Sequence, residues 1–202
     1  MLADRLRLAA RRGIPTDNFI EYGYEEPGSQ LVVRNRRGIN GTRFATTVYD
    51  AGRIGVGTFL QGNGINTGYK TPAGAVSYST WVRLANVTGR HILLGDWDAA
   101  VSTASGRFHF GIYGSSFEYV VGNGVTYDNV YTGMPHGIAA GALTHLGVSV
   151  DGNKVEIWKS GVLMFERTAT VSKGGLSPSN LILGSAGLYT LDRLYGALDL
   201  TR

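Results

Sequence analysis

The 202-residue sequence predicts an all-β protein, an antiparallel sandwich over residues 51–202 preceded by a short helix and an extended arm within residues 1–50. Three observations predict it. From His145 to Phe165, three runs of alternating apolar and polar residues are separated by Asp151-Gly152-Asn153 and by Ser160-Gly161, the turn residues of tight hairpins. A three-stranded meander is expected, with Leu146, Val148, Val150, Val155 and Ile157 on its buried face. Glycine supplies 30 of the 202 residues, about twice its usual share of about 7 %, as many short strands and tight turns require. Strong helix formers gather in residues 3–12, which Gly13 and Pro15 bring to a stop.

In chain order, Leu2, Leu6, Ala9 and Ala10 fall on one stripe of that helix, with arginines around the rest. About ten residues do not hold a helix in water unaided, so it is expected to dock on its own domain, on a partner or on copies of itself. Residues 14–30 read as an extended linker with aromatic anchors and a turn at Pro27-Gly28. Residues 31–33, 43–49 and 53–60 are rich in strand-forming types and are expected to complete one sheet. Further on, Phe108, Phe110 and Ile112 alternate with His109, Gly111 and Tyr113, which assigns the first three to the core and turns Tyr113 outward.

The meander and four other segments resemble the laminin G-like branch of the concanavalin A-like lectin/glucanase jelly rolls. The family's late hairpin is matched by Leu143-Thr144-His145, the following strand, Asp151-Gly152 and Trp158-Lys159-Ser160-Gly161-Val162. Its opening strand and turn are similar to residues 59–64, its tryptophan-bearing strand to residues 78–83, and its closing strands to residues 181–184 and 194–200. The resemblance spans about residues 55–202; Leu143 stands where the family usually has tryptophan. It implies a jelly-roll sandwich in which Trp81 and Trp158 are buried packing residues and His145 is a hydrogen-bonded strand residue.

Charge and targeting bear on the setting. Of the basic residues behind the net charge of +4, Arg5, Arg7, Arg11 and Arg12 lie in the first twelve positions, and Arg34, Arg36, Arg37 and Arg43 precede the sandwich. With Leu6 they form the candidate anchoring arm. The sequence contains no cysteine, so disulfides contribute nothing. The first residues lack a secretory core, and no stretch has the length to cross a bilayer, so membrane insertion is not expected. Synthesis in a cytoplasm without a secretion signal, combined with a fold that generally works outside cells, leads to the expectation of a bacteriophage virion protein. In that reading the chain is a head decoration, a spike or a tail-associated subunit. Other virion proteins and copies of itself are its expected partners, and the virion its location. The alternative is an extracellular carbohydrate-binding adhesion module with a cell-surface glycan as partner. Nucleic acid is not expected, because no aromatic interleaving or groove-reading helix accompanies Arg34-Asn-Arg-Arg37.

Catalysis is not expected. Glucanases of this fold place Glu-x-Asp-x-x-Glu on one strand, and the sequence lacks that triplet, a cysteine nucleophile and a Gly-x-Ser-x-Gly elbow. The four histidines, His91, His109, His136 and His145, show no ligand spacing, and no cofactor is expected. Two short segments combine aromatic planes with clustered oxygens: Asp96-Trp97-Asp98 after a strand, and Tyr127-Asp128-Asn129 read as a loop. All six residues form the candidate ligand rim, with Trp97 as a stacking platform for a sugar. Ca²⁺ is the weaker alternative there, since it requires six to eight oxygens.

Overall fold

The computed structural model describes residues 32–33, 41–43, 48–51, 56–61, 64–97, 108–185 and 194–199. Their strands form two antiparallel sheets. The first runs in the order β1 (Val32–Val33), β2 (Gly41–Arg43), β5 (Ile65–Lys70), β14 (Asn180–Leu183), β7 (Arg90–Gly95), β8 (Phe108–Tyr113), β9 (Ser116–Gly122) and β10 (Tyr127–Pro135). The second runs β13 (Val162–Thr168), β12 (Lys154–Lys159), β11 (Leu143–Asp151), β6 (Val76–Leu84), β15 (Tyr195–Asp199), β4 (Val56–Gln61) and β3 (Val48–Ala51). The proposed N-terminal helix lies outside the described residues. Strands β1 to β3, from the stretch read as arm and its junction, pair into both sheets: β2 lies against β5, and β3 against β4.

The meander forms as its turns dictate. Lys159 pairs with Val162 across a two-residue loop in which Ser160 and Gly161 both have positive φ, the mirror-image turn whose twist matches that of the strands. Val148 faces Ile157, and Val150 faces Val155, so the apolar positions of β11 and β12 share a face and meet the first sheet. Between the sheets lies the core, containing Leu146, Val148, Val150, Val155 and Ile157 from one side and Phe108, Phe110, Ile112, Phe117, Tyr119 and Val121 from the other. Aromatic rings lock the layers: Tyr78 of β6 stacks on Phe108 of β8 at 5.9 Å, and Tyr119 of β9 meets Phe165 of β13 at 6.2 Å.

Both tryptophans assigned to the core lie elsewhere. Trp158 follows Ile157, which points inward, and the pleat therefore turns it out of the sandwich, where it is 36 % exposed. Trp81 is half-buried on the same outer face, against the cross-strand ring of His145 at 5.1 Å. In each case a bulky apolar type outweighed strand parity in the sequence reading, and parity decides.

Candidate functional site

Strands β7 to β10 build the outer face of the eight-stranded sheet, the side turned away from the core. Their register places Gly95, His109, Val120 and Asn129 in one row across that face. Two residues further along, Trp97 follows β7, and Gly122 pairs with Tyr127. Gly122 carries no side chain. In that row the Trp97 and Tyr127 rings meet edge to face, with centroids 5.2 Å apart and planes at 80°. The two halves of the rim read from sequence, thirty residues apart, therefore share one site. Tyr127 is 43 % exposed, Trp97 is half-buried and Asn129 is exposed beside them.

Two acidic members of that rim, Asp96 and Asp128, are engaged by the backbone. Asp96 is fully buried: its Oδ1 accepts the Phe108 N–H at 2.8 Å, and its own N–H donates to the Phe108 carbonyl at 3.0 Å. It closes the base from which the chain leaves at Trp97 and returns at Phe108. Tyr127, Asp128 and Asn129 belong to strand β10 rather than to a loop, so Asp128 points to the opposite side from its neighbours. There it accepts the Thr170 N–H at 2.7 Å and lies 3.6 Å from Arg167 Nη2, tying the two sheets at their edge. Asp98 lies outside the described residues, as do Arg5, Leu6, Arg7, Arg11, Arg12, Arg34, Arg36 and Arg37 of the arm. Among the described residues, no group of three or more His, Cys, Asp or Glu could hold a metal ion.

Sequence reading missed the polar half of the face. Glu118 of β9 is fully buried and takes both Nε, at 2.7 Å, and Nη2 of Arg90 in a bidentate pair. His109 of β8 is 4 % exposed, with Nε2 at 3.5 Å from Glu118 Oε1 and from Arg90 Nη2. Its ring meets Trp97 edge to face at 6.4 Å. Burial pushes the Glu118 carboxyl up, but its hydrogen bonds with His109 and Arg90 and the charge of the Arg90 guanidinium outweigh it and hold the carboxyl below the usual carboxylate range. A general acid for glycoside cleavage needs the opposite shift. Gly111 adjoins the pair, and only glycine fits there: a Cβ would lie 2.5 Å from the His91 carbonyl oxygen. The signal for these residues was present in the alternation, since His109 and Glu118 are each flanked by core aromatics and so face the other way.

A family model described as the concanavalin A-like lectin/glucanases superfamily matches residues 59–202. Among solved structures, domain 4 of AbnA, an extracellular arabinanase of Geobacillus stearothermophilus, was determined in complex with arabinotriose. It is similar at 20 % identity and a TM-score of 0.69, over 91 % of this chain and 89 % of that one. The binding domain of Paraclostridial Mosquitocidal Protein 1 is similar at 11 % identity and a TM-score of 0.65, and that of botulinum neurotoxin serotype G at 10 % and 0.60. The match covers 91 % and 90 % of this chain but only 48 % and 46 % of the two toxin domains, so the chain spans about half their length. These likenesses are of fold. No match of sequence is found among curated proteins.

Proposed function

Because the chain belongs to the concanavalin A-like lectin/glucanases superfamily, we propose that it is a non-enzymatic carbohydrate-binding module that holds a saccharide on the outer face of its eight-stranded sheet. One observation carries this reading: Trp97 and Tyr127 form an aromatic corner directly beside the polar groups of Asn129 and His109. Sugars present C–H faces that stack on aromatic rings and hydroxyls that need hydrogen bonds, and the exposed Tyr127 ring and Asn129 amide of this face offer both. Glu118 supports binding rather than cleavage, since it is ion-paired and held ionised. That domain 4 of AbnA was solved with arabinotriose agrees with a saccharide as ligand. A glycan array with the wild-type protein tests the reading, followed by Trp97→Ala and Tyr127→Ala, each expected to weaken the best hit by tenfold or more, about 1.4 kcal/mol. Two alanine variants that bind as the wild type does would refute it.

The second reading is a particle-bound form of the same module. It rests on the basic residues Arg5, Arg7, Arg11, Arg12, Arg34, Arg36 and Arg37, which suit an arm that anchors the chain on an acidic protein surface. In that form the protein is a virion decoration, spike or tail subunit, assembled with other virion proteins or copies of itself, and the sandwich is displayed to glycans.

A further inference from the structure

We infer that His109 is the hydrogen-bonding floor of this site, its Nδ1 pairing with a hydroxyl of the bound saccharide and so making the face selective for neutral, hydroxyl-rich ligands; the inference rests on the saccharide reading. Nε2 of His109 is directed at the Arg90–Glu118 pair, 3.5 Å from each partner. Nδ1 is buried and has no hydrogen-bond partner among the described residues. A buried polar nitrogen without a partner is costly, and proteins retain such atoms where a ligand or water completes them. Chemistry limits the group that can do so. Neutral imidazole offers Nδ1 as donor or as acceptor depending on its tautomer, and a hydroxyl answers either. A carboxylate approaching the same nitrogen would come close to the ionised Glu118, and an ammonium would come close to Arg90, whereas the two together are neutral. Nδ1 is withdrawn from solvent, and Trp97 stands edge-on to the ring. Saccharide binding there therefore includes a displacement of the indole from His109.

Two substitutions separate the two nitrogens. The side-chain amide of Asn sits where Nδ1 does, and that of Gln where Nε2 does. His109→Gln keeps a group for Glu118 and loses the ligand contact; His109→Asn keeps the ligand contact. With arabinotriose and trigalacturonate as probes in calorimetry, the wild type should prefer the neutral sugar. His109→Gln should lose about tenfold in affinity or more, and His109→Asn should stay within about threefold of wild type. In the wild-type protein, the ¹⁵N resonance of His109 Nδ1 should move when arabinotriose is added, a readout that does not depend on any variant folding. Equal binding by the Gln variant, equal loss in both variants, preference for trigalacturonate or an unmoved Nδ1 resonance in the saturated complex overturns the inference. If Trp97→Ala abolishes arabinotriose binding while His109→Gln does not, this inference falls and the saccharide site stands. If neither probe binds the wild-type protein, this assignment falls, and silence across the glycan array removes the saccharide site as well.

Discussion

Trp158 and Phe110 show how much the direction of a side chain matters compared with its type. Both are large and apolar in mid-sheet, yet Phe110 is buried in the core and stacked on Phe117 at 6.1 Å, whereas Trp158 is 36 % exposed beside Gly147. Phe110→Ala is expected to cost about 3–5 kcal/mol through lost burial and a cavity. Trp158→Ala should cost much less, since the indole leaves no hole behind it. Urea denaturation of the two variants checks the order, and a Trp158→Ala loss equal to that of Phe110→Ala would mean that the indole is buried in solution. Parity was legible in the sequence at both positions. What misled was the expectation that a tryptophan at a family position must be buried, when Val155 and Ile157 already occupy the inward positions of that strand.

Strands β7 and β9 are linked by titratable groups as well as by the ladders through β8. Burial holds His91 of β7 below the usual histidine range, only partly offset by its hydrogen bond with the Thr88 carbonyl, and the folded state therefore favours the neutral ring. The stability this implies is fully present above the unfolded value of 6.5 and is lost as the pH falls from there through the depressed folded value. Glu118 acts lower down. Its carboxyl is depressed by His109 and Arg90 against the opposing effect of burial, so its contribution is present above the unfolded value of 4.5 and is lost as the pH falls through its folded value. The urea midpoint is expected to decline in two stages on acidification. Glu118→Gln should diminish the lower stage, to which Glu156, its carboxyl lowered by Lys154, also contributes, and leave the upper one; an unchanged lower stage would show that Arg90 does not hold the Glu118 carboxylate. The strand before Asp96 and the alternation of β8 were legible in the sequence, whereas β9 was not assigned there. Nor was the ion pair legible, because it joins residues 28 positions apart on strands that are not adjacent to one another.

At the scale of the whole molecule, the described strands begin at Val32, and the described core residues run from Ile65 to Leu198. Deleting residues 1–30 is expected to leave a soluble, cooperatively melting module that still binds saccharide and, under the particle-bound reading proposed above, no longer attaches to a particle. Normal incorporation of the truncated chain into particles would place the anchor elsewhere, and failure to fold would make the segment part of the sandwich. The sequence by itself determined the class of fold, the strands of the meander with their turns, and the face on which Phe108, Phe110, Ile112, Val148 and Ile157 lie. These follow from a two-residue period and from turn chemistry, which are local properties of the chain. Only the tertiary structure decided that Trp97 and Tyr127 meet, that Asp96 and Asp128 brace the fold while Asn129 faces the site, and that His109 and Glu118 lie between the aromatic corner and Arg90. Those outcomes depend on which strands become neighbours and in what register, and pairing between distant segments is set by the packing of two whole sheets rather than by the residues of either segment.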